Sequence, residues 1–121
     1  MNIKDSHTKQ LTNTIFVIKI GGKVAEDEQQ QGSILDGLAR LKQPVILVQG
    51  GGTQATSMAE VLGVKSQMVD GRRVTDPAML DIAIMVYGGL INKKMVAQLE
   101  SRGRKALGLT GADMGLSLIH I

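Results

Sequence analysis

An α/β fold, a three-layer sandwich with a mostly parallel central sheet, follows from three observations on the 121-residue sequence. Short runs of β-branched and aliphatic residues alternate with segments of helical apolar spacing. The strand runs are apolar on both faces, as in a parallel sheet covered by helices on each side. Two of these runs end in glycine clusters, Gly21-Gly22 and Gly50-Gly51-Gly52, which make abrupt strand-to-helix turns.

Each element has its own reason. Met1 to Thr14 is polar and reads as a lead-in rather than a folded element. Ile15 to Ile20 (IFVIKI) reads as the first buried strand. Asp27 to Lys42 carries Ile34, Leu35, Leu38 and Leu41 at helical spacing, and Pro44 stops that helix. Val45 to Val48 (VILV) is the second buried strand. Thr53 to Leu62 places Ala55, Met58, Ala59 and Leu62 on one helix face, closed by Gly63. Lys65 to Val74 suits two short strands joined at Asp70-Gly71. Asp76-Pro77 opens a long helix with Thr75 or Asp76 as its cap and Pro77 in its first turn; it runs to about Arg102 and ends at Gly103. Lys105 to Leu109 is a third strand candidate, followed by the loop Thr110-Gly111-Ala112-Asp113.

Composition narrows the function. Lys and Arg total 14 against 11 Asp and Glu, a net charge of +3 spread along the chain with only 2% aromatic residues, so nucleic-acid binding has little support. There is no cysteine, which excludes disulfides and Cys-ligated metals. No signal-peptide core or membrane-length apolar run is present, and a cytoplasmic location is expected.

In an open α/β sheet, ligands bind beyond the carboxyl ends of the strands. Glycines placed there let backbone N–H groups converge on an anion, and a helix starting near Thr53 adds its partial positive charge. One such cluster would serve merely to turn the chain; two on successive strands favour a phosphate or carboxylate ligand. Neither cluster is a P-loop or a dinucleotide fingerprint. Lys19, inside an apolar strand beside Gly21-Gly22, is either an edge-blocking charge or a cation aimed at the ligand. Arg72-Arg73, after the Asp70-Gly71 turn, is either solvated surface or a fork for a carboxylate.

Five segments together carry a family resemblance: Val17-Ile18-Lys19-Ile20-Gly21-Gly22, Val48-Gln49-Gly50-Gly51-Gly52, Val69-Asp70-Gly71-Arg72-Arg73-Val74-Thr75-Asp76, Asn92-Lys93 and Gly108-Leu109-Thr110-Gly111-Ala112-Asp113. In order and spacing they resemble the amino acid kinase family, and the third segment resembles its acylglutamate-kinase branch. The resemblance implies ATP-dependent phosphorylation, with Mg2+, of the side-chain carboxylate of N-acetylglutamate, giving an acyl phosphate in arginine biosynthesis. It implies that Lys19 binds phosphate oxygens and stabilises the transferring group, and that Gly22 adds backbone donors on the phosphate side. Gly51 and Gly52 would hold the amino acid through backbone N–H groups, and Arg73 would clamp its free carboxylate.

The resemblance has departures. Gln49 stands where the family commonly has His, and Lys23 where it has a small or apolar residue. Met85 to Leu90 looks like the branch that uses N-succinylglutamate, so the acyl group stays open. Residues 15–115 are expected to be the N-terminal acylglutamate-binding lobe, with the nucleotide half missing and the chain inactive alone. Residues 116–121 (LSLIHI) match a translated sequencing adaptor and are expected to be a non-native tail. Ile82 to Ile91, apolar nearly all round, is expected to form a homodimer contact in a full-length protein. A non-catalytic module that binds an acidic amino acid is the alternative from another functional class.

Overall fold

The structure, a computed structural model, describes residues 14–21, 24 and 27–116. The predicted lead-in (apart from Thr14), Gly22, Lys23 and the predicted tail (apart from Leu116) lie outside the described residues. The chain divides into two compact units, Met1–Gly50 and Gly51–Ile121.

In the first unit, β1 (Phe16–Ile20) and β2 (Val45–Gln49) pair in parallel, with Ile18 opposite Leu47 and Ile20 opposite Gln49. The helix α1 (Glu28–Arg40) connects them. Its start is fixed by Asp27, whose carboxylate accepts a 2.9 Å bond from the Gln30 backbone N–H and a 3.0 Å bond from the Gln30 side chain. Leu35, Leu38 and Ile20 are buried. The expectation of strands buried on both faces does not hold: Val17, Ile46 and Val48 are exposed while Ile18 and Leu47 are half-buried. Side chains alternate across a strand, and one face of this two-stranded sheet is covered less than the other.

In the second unit, α2 (Gly52–Val61) is followed by the antiparallel hairpin β3 (Gln67–Val69) and β4 (Arg72–Val74). Asp70 and Gly71 sit at φ 49° and 73°, the two left-handed residues of a tight hairpin turn. One long helical run comes next: α3 (Pro77–Ala83), a π-helical stretch Ile84–Ile91, and α4 (Asn92–Ser101). Asp76 caps its start through a 2.8 Å bond from the Met79 N–H. Gly103, at φ 76°, closes its end with Gly103 N–H donating to Glu100 O and Arg104 N–H donating to Leu99 O. The core of this unit is Ala55, Ala59, Met79, Ile82, Val86 and Ile91, with Met58 and Val64 packed on it.

Two expectations are corrected in this unit. The middle of the long helix is π-helical rather than α-helical, and it coincides with Gly88-Gly89, whose low helix propensity weakens the α-helical hydrogen-bond ladder there. Lys105 to Leu109 is not a strand: the pairing ladders among the described residues are β1 with β2 and β3 with β4. Its exposure still alternates, with Leu107 84% exposed between half-buried Ala106 and Gly108. The segment has the strand pattern, but no neighbouring strand among the described residues bonds its backbone.

Candidate functional site

The first glycine turn follows β1. Lys19 is exposed near the carboxyl end of that strand, and its aliphatic stem folds back over the turn, its Cε 3.9 Å from where a Cβ on Gly21 would sit. The ammonium group is thus carried at the strand end, with the strand alternation keeping Ile18 and Ile20 on the opposite, more buried face. Gln49, at the end of β2, has its side-chain oxygen buried without a hydrogen-bond partner among the described residues.

The second unit begins inside the other glycine cluster. Gly51 precedes α2 and Gly52 is the first helical residue. A Cβ on Gly51 would overlap Ile91 Cδ1 and lie 3.1 Å from Tyr87 Cε1, so this turn is packed against the π-helical stretch and a larger residue would have to displace those side chains. The hairpin brings Arg73 to the same place. Its neighbours Arg72 and Val74 point to solvent, whereas Arg73 is half-buried and donates from Nη2 to the Gly52 carbonyl at 2.7 Å and to Thr56 Oγ1. The Thr56 hydroxyl in turn donates to the Gly52 carbonyl at 3.0 Å. Arg73 Nε is buried and has no hydrogen-bond partner among the described residues. Of the two readings open for the arginine pair, solvated surface fits Arg72, while Arg73 is fixed beside the first turn of a helix.

Gly51, Gly52 and Arg73 are therefore brought together. Lys19 lies in the other compact unit, and Gly22 is outside the described residues. Three further residues were not named as site residues from the sequence, although Tyr87 and Ile91 lie in the apolar run expected to form a dimer contact. Thr56 stands four residues after Gly52, one helical turn on, a spacing that could have flagged it. Tyr87 and Ile91 meet Gly51 through tertiary packing that leaves no local signal.

A second polar cluster lies after the long helix. Asn92 Nδ2 donates to Leu109 O at 2.7 Å, and Lys93 Nζ to Gly108 O at 3.3 Å. Asp113 accepts from the Thr110 N–H at 2.5 Å and from its hydroxyl at 2.9 Å. The Thr110 backbone and hydroxyl bonds, with a smaller contribution from the Lys93 charge, hold the Asp113 carboxyl below its ordinary pKa of 3.8 against a minor opposing effect of desolvation. An open depression of about 470 Å³ is lined by Thr56, Glu60, Gly63, Val64, Lys65, Ser66 and Met68, and the buried Ser66 hydroxyl there has no hydrogen-bond partner among the described residues. Among the described residues no group of three or more His, Asp or Glu could hold a metal ion, and no helix is long and apolar enough to cross a membrane.

Residues 14–121 match the model of the amino acid kinase family. The chain belongs to that family. Within it, the chain is 47% identical over 108 residues to an acetylglutamate kinase of Bacteroides fragilis, covering 89% of this chain and 41% of that protein. It is 51% identical over 102 residues to an acetylglutamate kinase of Bacteroides thetaiotaomicron, covering 84% and 40%. The chain thus spans about two fifths of the length of these curated family members. A solved structure, smu.665 from Streptococcus mutans UA159, superposes with a TM-score of 0.66 at 23% identity, over 80% of this chain and 40% of that one. The α/β family fold expected from the strand and helix pattern is borne out.

Proposed function

We propose that this chain is the acylglutamate-binding part of a kinase that transfers the γ-phosphoryl group of ATP to the side-chain carboxylate of N-acetylglutamate or a close N-acyl analogue, a step of arginine biosynthesis. A carboxylate oxygen attacks the γ-phosphorus, a carboxyl–phosphate bond forms, the bond to the β-phosphate oxygen breaks, and ADP leaves. Magnesium enters with ATP as part of the substrate.

The observation that carries the reading is the bond from Arg73 to the Gly52 carbonyl, which fixes a guanidinium beside the glycine turn at the start of α2. A cation, backbone N–H groups and a helix N-terminus together suit a carboxylate. On this reading Gly51 and Gly52 hold the amino acid, Arg73 takes its free carboxylate, and Lys19 with Gly22 serves the phosphate side by neutralising charge on the transferring group. Residues 15–115 make up this lobe, and the adenine and ribose contacts come from sequence outside it. Ile84, Met85 and Tyr87, exposed on the π-helical stretch, suit a homodimer contact in the whole protein, and the cytoplasm is the location that fits a biosynthetic kinase.

The test uses a complete kinase that carries this sequence. Arg73→Ala should raise KM for the N-acylglutamate by about a hundredfold, the loss of a charged hydrogen-bonding pair, with KM for ATP little changed. Lys19→Ala should mainly lower kcat. An unchanged amino acid KM in Arg73→Ala would refute the assignment. Turnover of N-acetyl- against N-succinylglutamate decides the acyl group.

A further inference from the structure

We infer that Thr56 is a positioning residue for the amino acid substrate, acting through Arg73; the inference rests on the substrate reading of Arg73 given above. The Thr56 hydroxyl is used at both ends. It donates to the Gly52 carbonyl at 3.0 Å, and its oxygen accepts from Arg73 Nη2. Arg73 Nη2 also donates to that same carbonyl at 2.7 Å. Three groups from the start of α2 and from β4 therefore close a small ring of hydrogen bonds.

The ring fixes the orientation of the guanidinium. A hydroxyl that back-bonds one helical turn is common and by itself says little. Here the back-bond turns the hydroxyl hydrogen toward Gly52 and leaves its oxygen facing Arg73, which is what an arginine donor needs. Nη2 has two N–H groups, and this ring uses both. The donors left for a ligand carboxylate are those on Nη1 and Nε, and Nε is buried with no hydrogen-bond partner among the described residues. An unmet buried donor costs free energy that a ligand oxygen restores. Thr56 thus directs the unused side of the guanidinium, and a Lys at position 73, lacking the planar fork, could not be directed in this way.

The role is of positioning, because Thr56 has no donor to spare for the substrate. Long arginine side chains lose rotamer freedom on binding, and a tether formed before the ligand arrives reduces that loss.

The experiment compares Thr56→Val, which keeps the shape and removes the hydroxyl, with Thr56→Ser, which restores it, each alone and combined with Arg73→Ala, in a complete kinase carrying this sequence. Thr56→Val should raise KM for N-acetylglutamate about tenfold, the scale of one hydrogen bond to a charged group, with KM for ATP and kcat changed less than about twofold. Thr56→Ser should return KM to near its original value. In the Arg73→Ala background, Thr56→Val should add nothing, since the group it positions is gone. If Arg73→Ala raises the amino acid KM but Thr56→Val does not, or does so equally with and without Arg73, the positioning role is wrong and the substrate reading stands. If Arg73→Ala itself leaves that KM unchanged, the substrate reading fails and this inference fails with it.

Discussion

Gly51 and Ile91 are packed so closely that a single methyl group on the glycine would overlap the Ile91 Cδ1 atom, with Tyr87 Cε1 3.1 Å away on the same side. The π-helical stretch and the glycine turn are therefore fitted to each other. Gly51→Ala should destabilise the chain by about 1–3 kcal/mol, the usual range for inserting a methyl group into a packed site. The backbone at Gly51, with φ −178°, is extended and would itself accept alanine, so the effect is packing alone. Ile91→Val removes Cδ1 and should make the double variant less destabilised than the sum of the single changes. Denaturant midpoints of the four proteins check this, and simple additivity would show that the overlap is relieved elsewhere.

A second close approach joins Gly108 to Asn92. A Cβ on Gly108 would overlap Asn92 Oδ1 and lie 2.8 Å from its Cγ and 2.9 Å from Val96 Cγ2. Gly108→Ala must displace the Asn92 side chain and with it the 2.7 Å bond to Leu109 O. The expected loss is about 2–4 kcal/mol, combining overpacking with a broken hydrogen bond. Asn92→Ala, which removes the obstacle, should be less destabilising than Gly108→Ala and should tolerate alanine at position 108. Thermal unfolding of the three variants tests the order.

The start of the long helix gives a simpler case. Asp76 accepts from the Met79 N–H at 2.8 Å, and Pro77 follows in the first turn. Asp76→Ala should cost about 1 kcal/mol, as for other lost N-caps, whereas Asp76→Asn should cost only a few tenths. Equal losses in the two variants, read from urea midpoints, would mean the charge and not the cap matters.

Local chemistry explains which parts of this fold were legible. Asp70-Gly71 can take the left-handed conformations that a two-residue hairpin turn needs, so β3 and β4 could be placed from those two residues. Asp76-Pro77 and Gly103 marked the ends of the long helix for equally local reasons. Lys105 to Leu109 misled because its alternating pattern is a property of one segment, while a strand needs a partner for its backbone. The π-helical register of Ile84–Ile91 also escaped, since apolar spacing alone does not separate it from an α-helix. For the site, glycine clusters and Arg73 were visible as residue types. The choice between a solvated and a fixed arginine depended on Gly52 and Thr56, which only the hairpin's fold-back brings near.

The turn at Thr110 to Asp113 should respond to acid. The Asp113 carboxyl lies below its ordinary value of 3.8, chiefly because it accepts the Thr110 N–H and hydroxyl, and these bonds favour the charged form. A pKa lowered in the folded chain means the stabilisation is fully present above the unfolded value and is lost as pH falls through the folded one. The turn should therefore be unaffected at neutral pH and open only below about 3.8. The Thr110 amide proton, followed by NMR from neutral to strongly acidic pH, should titrate with a midpoint under that value. Asp113→Asn should abolish the titration, and Lys93→Ala should move the midpoint slightly upward, because the Lys93 charge contributes to the lowering. A midpoint at or above the ordinary aspartate value would mean that the Thr110 bonds do not hold the carboxylate in solution.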